Sequence, residues 1–256
     1  MTQPSTNGGT PASSGRTPAQ GNRLDPWYDV YADRAHNLRA SEIRALFSVV
    51  SRPEVVSLAG GMPNLKDLPL DKLAASAEKL IRNHGAQAMQ YGSGQGWEVL
   101  RERITEVMAY DGIVGADPDD VVVTTGSQQA LDLVTELFVN PGDVILAEAP
   151  SYVGALGVFR ARQADIVHVP MDEHGIIPEA LAETIRDVRA SGRTIKFIYI
   201  IPNYHNPAGV TLSAERRPII AEICLREHVL IVEDNPYGLL GFHNDPLPAI
   251  ASYSPE

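Results

Sequence analysis

A chain of 256 residues with 44% hydrophobic and 21% charged residues has the make-up of an ordinary soluble globular protein, and no apolar run approaches the roughly 18–20 residues of a membrane span. Its 32 acidic against 21 basic side chains leave a net charge of −11, which repels nucleic-acid backbones unless basic residues gather on one face, and no such cluster is present. One cysteine, Cys224, excludes an internal disulfide and fits a reducing cytoplasm; it stands in the apolar pattern of Ile219, Ile220 and Ile223 and reads as a buried, inert thiol.

Residues 1–26 are Pro, Ser, Thr, Gly, Asn and Gln with little to bury, the composition of a disordered tail, and they lack the basic start and apolar core of a signal peptide. Residues 27–69 form an arm, with a short helical pattern over 41–47 behind a Ser cap and a loop around Gly60, Gly61 and Pro63. From residue 70 onward the pattern alternates. Helices are predicted over 71–83 and 97–110, a strand over 120–124, then helix 127–138, strand 143–148, helix 152–162 and strand 165–169. Helix 178–190, strand 195–201, helix 213–227 and strand 229–233 complete the series. Strands separated by helices of this length predict an α/β fold over 70–256, a three-layer, mostly parallel sheet with helices on both faces. Ligands of such sheets bind beyond the carboxyl ends of the strands, here just after Thr124, Glu148, Ile201 and Glu233.

Each of these four places carries a distinct contact. Thr125, Gly126 and Ser127 open a helix whose free N–H groups and Ser hydroxyl suit a phosphate, although Ser127 also reads as a plain helix cap. Tyr152 follows the second strand and either stacks on a flat ring or belongs to the core. Asn206 precedes Pro207, which biases it toward extended geometry and so fixes its amide; the same pair also reads as a simple turn. Asp234 and Tyr237 follow the last strand, where a carboxylate needs a cationic or hydrogen-bonded partner, or else solvent. Together the four ask for a phosphorylated, flat heteroaromatic ligand with a basic ring nitrogen and a ring oxygen.

In order and content these motifs resemble the fold-type I pyridoxal-phosphate enzymes of the class I/II aminotransferase branch, from about Arg39 onward. The resemblance implies that Ser127 and Gln128 hold the cofactor phosphate and that Tyr152 stacks on the pyridine ring. It places Asn206 and Tyr237 at the ring oxygen and Asp234 at the ring nitrogen, whose charge makes the ring an electron sink. Tyr91 matches a tyrosine that reaches the phosphate of a neighbouring subunit, which implies a homodimer with shared sites. The arm resembles the 2-aminoadipate and kynurenine aminotransferase group: Gly60 or Gly61 would lie against substrate, and Arg44 would meet a side-chain carboxylate, a role that also competes with that of a solvated helix charge. The expected reaction is amino transfer between an L-amino acid and a 2-oxo acid, 2-oxoglutarate foremost, in the cytoplasm, with neither nucleic acid nor membrane as partner.

Two departures stand out. His205 and Ala208 replace the Gln and the Thr or Ser of many relatives around the Asn-Pro pair. Second, the family's Schiff-base lysine follows the Asp-x-x-Tyr motif by a few tens of residues, next to a serine. The only lysines here are Lys66, Lys72, Lys79 and Lys196, and none holds that place. The resemblance therefore reads the chain as the N-terminal part of a longer enzyme, inactive alone, with the lysine expected beyond Glu256. A dehydrogenase is disfavoured because Gly92, Gly94 and Gly96 have the wrong spacing and follow a poor strand, and the seven histidines offer no close pair for a metal. The remaining alternatives are an aminotransferase-like sensor domain of a transcription regulator and a lyase of the same fold.

Overall fold

The computed structural model describes residues 25–36, 54–56, 65–242 and 246–253. The expected arm helix over 41–47, with Arg44, and the loop of Gly60 and Gly61 lie outside the described residues. Two compact units divide the chain, residues 1–38 and 39–256. In the first, a 3-10 turn over Tyr28–Val30 precedes the short helix α1 (Asp33–His36), and the Tyr28 and Tyr31 rings meet at 6.2 Å.

The second unit opens with helices α2 (Leu70–Ala88) and α3 (Glu98–Met108), followed by α4 (Ser127–Phe138). Strand β1 (Val144–Ala149), helix α5 (Val153–Ala161), strand β2 (Asp165–Asp172) and the two-residue β3 (Gly175–Ile176) come next. Helix α6 (Pro178–Ala190), strand β4 (Ile195–Ile200), helix α7 (Arg216–Arg226) and strand β5 (Leu230–Glu233) complete the sheet order β3-β2-β1-β4-β5. The pairs β1·β2, β1·β4 and β4·β5 are parallel, and β2·β3 is antiparallel.

The central strands β1 and β4 are mostly apolar because both their faces are covered, and their period of two sorts side chains into two cores. Val144, Leu146, Ile198 and Ile200 face α6 and α7, meeting Leu181, Ile185, Ile220 and Cys224. Ile145, Ala147, Phe197 and Tyr199 face the other way, onto Leu131 of α4 and Ala155, Leu156 and Phe159 of α5. This is the three-layer arrangement expected from the alternation. Burial pushes the Cys224 thiol up to about 12, which keeps it protonated and unreactive at neutral pH. Lys196 enters β4 at the amino end of the sheet and pairs with Asp143 at 3.3 Å, at the end opposite Asp234. Among the described residues no helix is long and apolar enough to cross a membrane.

Two expectations about elements fail. Residues 121–124 form no strand: they follow a 3-10 turn over Pro118–Asp120, stand outside the five-stranded sheet, and Val123 N–H bonds the Gln95 carbonyl at 2.7 Å. Val and Thr favour a ladder only where a neighbour supplies one. Strand β2 also runs three residues past the expected 169, because the turn at His174 folds β3 back onto it.

That turn is clamped to the start of α7. Arg216 grips both oxygens of Asp172, at 2.6 and 2.7 Å, and donates to the Gly175 carbonyl at 2.9 Å. The guanidinium holds the Asp172 carboxyl down at about 2. A depressed carboxyl stabilises the fold above its unfolded value, near 4, and the benefit is lost as pH falls from about 4 toward 2. Arg216→Met should therefore lower the urea midpoint near neutrality and converge on the wild type as the pH approaches about 2. A constant gap between the two midpoints over that range would show that the pair does not carry this acid sensitivity.

Candidate functional site

Three neighbouring strands, β1, β4 and β5, end side by side at their carboxyl termini, and each is followed by a residue singled out by the sequence. Asp234 stands directly behind β5, its N–H bonded to the Ile200 carbonyl at 2.9 Å. One of its carboxylate oxygens, Oδ2, accepts the Tyr199 hydroxyl at 2.6 Å. Tyr199 is fully buried in β4, and burial first, then the Asp234 charge, raises its hydroxyl far above the ordinary phenol range. The hydroxyl is therefore a permanent donor, which holds Asp234 as an acceptor and leaves Oδ1, without a hydrogen bond among the described residues, for a cationic N–H.

Tyr152 caps α5 and packs against the same core cluster as Tyr199. Its ring folds back over the first turn of α5, where a Cβ on Gly154 would lie 2.4 Å from it. Only glycine leaves room there, so the ring's pose is written into residue 154 as much as into residue 152. The core reading of Tyr152 holds in part: the residue is half-buried against that cluster.

Helix α4 opens without a side-chain cap. Gly126, at φ +76°, takes the cap position that the sequence offered to Ser127, and Ser127 becomes the first helical residue. The reading of Ser127 as a cap therefore fails, because the left-handed turn at Gly126 shifts the helix start by one. Ser127 and Gln128 are exposed, and a Cβ on Gly126 would meet nothing within 4 Å. The free N–H groups of a first turn, a hydroxyl and open space are what a phosphate requires. Leu131, one turn on, anchors α4 in the cluster that holds Tyr199 and Tyr152.

The loop after β4 closes on itself: Leu212 N–H bonds the Pro202 carbonyl at 2.8 Å and His205 N–H the Val210 carbonyl at 2.8 Å, which leaves half-buried Asn206 near the tip. Tyr237 caps a 3-10 turn over Gly238–Leu240 behind β5. Tyr152, Asn206, Asp234 and Tyr237 thus share one end of the sheet. Tyr91 stands apart, 99% exposed in the loop between α2 and α3.

Sequence reasoning missed the supports beneath these residues. Glu148 in β1 is 1% exposed, accepts the Ile201 N–H at 2.8 Å and lies 3.2 Å from Nε2 of the equally buried His205. His205 Nδ1 in turn faces the Ala208 N–H at 3.3 Å. Arg217, which the sequence did not single out, is completely buried and donates to the carbonyls of Pro202, Leu212 and Pro248 and to the Asn203 side chain. A carboxylate inside an apolar strand run and two adjacent arginines ahead of the apolar stretch Ile219–Ala221 are the signals that could have found them.

A half-buried ring, a carboxylate oxygen without a hydrogen bond among the described residues, an amide near a loop tip and an uncapped helix start fit a pyridoxal-type cofactor. The family model described as aminotransferase class I and II matches residues 53–255. The chain is 37% identical over 226 residues to aromatic-amino-acid aminotransferase 1 of Thermococcus litoralis, covering 88% of this chain and 54% of that protein. The kynurenine aminotransferase of Pyrococcus horikoshii superposes with a TM-score of 0.79 at 35% identity, over 87% of this chain and 55% of that one. The alpha-aminoadipate aminotransferase of Thermus thermophilus, in complex with N-(5'-phosphopyridoxyl)-L-leucine, gives 0.78 at 32%, over 90% and 55%. The chain spans about half the length of the curated relatives it matches.

Proposed function

The chain belongs to the class I and II aminotransferases, and we propose that residues 70–256 are the cofactor-bearing part of an enzyme that moves an amino group between an L-amino acid and a 2-oxo acid, 2-oxoglutarate in particular. The observation that carries this reading is the Asp234 carboxylate at the mouth of β5, committed to Tyr199 by one oxygen and to nothing else described by the other. Pyridoxal 5'-phosphate is the cofactor, and when bound it supplies the electron sink that stabilises a carbanion at the amino acid's alpha carbon.

The chain's own residues divide the remaining work. Ser127 and Gln128 bind the phosphate through the start of α4, whose dipole favours an anion by roughly 0.3–1 kcal/mol. Tyr152 covers one ring face and excludes water from it. Asn206 and Tyr237 orient the ring oxygen, and Asp234 keeps the ring nitrogen protonated. Gly60, Gly61 and Arg44 serve the substrate, and Tyr91 reaches the phosphate site of a second copy in a homodimer; its exposure suits that role.

Lys196 is ion-paired at the far end of the sheet, and Lys72 and Lys79 lie on α2, ahead of the sheet. None of the lysines Lys66, Lys72, Lys79 and Lys196 belongs to the segments that follow β1, β4 and β5, and on this reading the chain alone binds the cofactor reversibly and completes no turnover. Titration with pyridoxal phosphate, followed by visible circular dichroism, tests the reading. Saturable binding that leaves no borohydride-fixed adduct on the chain is expected. A chain that binds none overturns the cofactor site, and turnover with a fixed lysine adduct overturns the inactivity.

A further inference from the structure

Beneath the two loops that carry Asn206 and Tyr237 runs a buried chain of polar groups that the roles above do not use. Arg217, on α7 and wholly inaccessible, donates from Nη2 to Asn203 Oδ1 at 2.7 Å. Asn203, 4% exposed, donates from Nδ2 to Asn235 Oδ1 at 2.8 Å. Asn235 follows Asp234 directly, and its amide fills the space where Gly238 lacks a side chain: a Cβ there would stand 2.5 Å from Asn235 Oδ1. The same guanidinium donates to the carbonyls of Pro202 and Leu212, and the Leu212 N–H donates to the Pro202 carbonyl at 2.8 Å, closing the base of the loop that presents Asn206.

We propose that Arg217, Asn203 and Asn235 are positioning residues that lock the loop of Asn206 to the turn of Tyr237, so that both side chains meet the ring oxygen of the cofactor at a fixed separation. The proposal rests on the reading of this end of the sheet as a pyridoxal-phosphate site. Its chemistry follows from the order of the bonds. A buried guanidinium can only donate, so it forces the Asn203 oxygen inward and the Asn203 NH2 outward. That NH2 in turn fixes the oxygen of Asn235, and no amide in the series is free to flip. The Asn203–Asn235 bond is the described side-chain link between the two loops, which makes it the place where their spacing is set. With its Arg217–Asn203 bond charge-assisted and buried and its Asn203–Asn235 bond part-buried, the series is stiffer than a solvent-exposed turn pair.

Pyridoxamine 5'-phosphate and its 3-deoxy analogue, which lacks the ring oxygen, separate this role from mere structural support, because neither forms a bond to a lysine. Calorimetric titration of the chain should show Asn203→Ala weakening pyridoxamine phosphate about tenfold, the cost of one mispositioned hydrogen bond, while the deoxy analogue changes less than about twofold. Asn235→Ala should give the same ligand-selective loss, and the double variant no greater loss than either single one. Gly238→Ala pushes Asn235 from its opposite side and leaves the Arg217–Asn203 bond intact, so it should reproduce the pattern if Asn203→Ala does not fold. Equal losses for both ligands, or none for either, overturn the relay while the cofactor site stands. A wild-type chain that binds neither ligand overturns the site itself and the relay with it.

Discussion

Asp234→Ala in the complete enzyme is expected to lower kcat/KM by about a hundredfold to a thousandfold, the usual cost of losing one fixed electrostatic partner of the reacting system. Asp234 is fixed from two sides, by its N–H on the Ile200 carbonyl and by the Tyr199 hydroxyl on Oδ2, so the position of Oδ1 is set by the sheet rather than by the flexibility of an acidic side chain. A carboxylate held in this way at a half-buried strand mouth favours a protonated ring nitrogen, and alanine leaves that proton without a counter-charge. Asp234→Asn separates charge from shape, since the amide oxygen still accepts from Tyr199 while the charge is gone; it should fall close to the alanine variant. Tyr199→Phe keeps the charge and loses one hydrogen bond, and should cost roughly tenfold or less. Wild-type turnover in Asp234→Ala would remove Asp234 from the site, and a Tyr199→Phe loss as large as that of Asp234→Ala would show that Tyr199 does more than hold it.

The strand-end rule singled out Asp234, Tyr237, Asn206 and Tyr152 because they lie within a few residues of the end of an apolar run, and a run followed by a polar turn is visible in one dimension; the fold sets all four behind strand ends. Tyr199 was invisible for the opposite reason. It sits inside the run Phe197–Ile201, where its neighbours are all apolar, and only the register that sets Tyr199 beside Val232 reveals that its hydroxyl ends at Asp234. Arg217 hides behind composition: next to Arg216 on a helix it looks like a second solvated charge, yet Arg216 faces Asp172 at the surface and Arg217 points into the core, because neighbours on a helix are 100° apart. The run at 121–124 shows the limit of propensity, since a strand is a property of a pair. Ser127 was misread as a cap by a single residue, because a left-handed glycine before a helix changes the phase of its start.

Phe159→Ala should destabilise the chain by about 3–5 kcal/mol, a large part of the roughly 5–15 kcal/mol available to a domain. Phe159 is fully buried on α5 and meets two rings edge-on, Phe197 at 5.6 Å and 72° and Tyr199 at 5.4 Å and 77°. Each such pair adds about 0.5–1.5 kcal/mol beyond the area it buries, and alanine loses both together with the packed volume. The consequence reaches the site because Tyr199 is one of the two rings. With its neighbour gone, the Tyr199 ring gains room to tilt, and a tilt of a few tenths of an ångström at the ring is enough to lengthen a 2.6 Å bond to Asp234. Phe159→Leu fills most of the volume and should cost about 1–1.5 kcal/mol. Urea unfolding gives the two stabilities, and pyridoxamine phosphate binding, measured where each variant is still folded, gives the transmitted effect. Binding that weakens in Phe159→Ala but is unchanged when Phe159→Ala is added to Tyr199→Phe would trace the route through that hydroxyl. Additive losses would show that the core supports the site without passing through Tyr199.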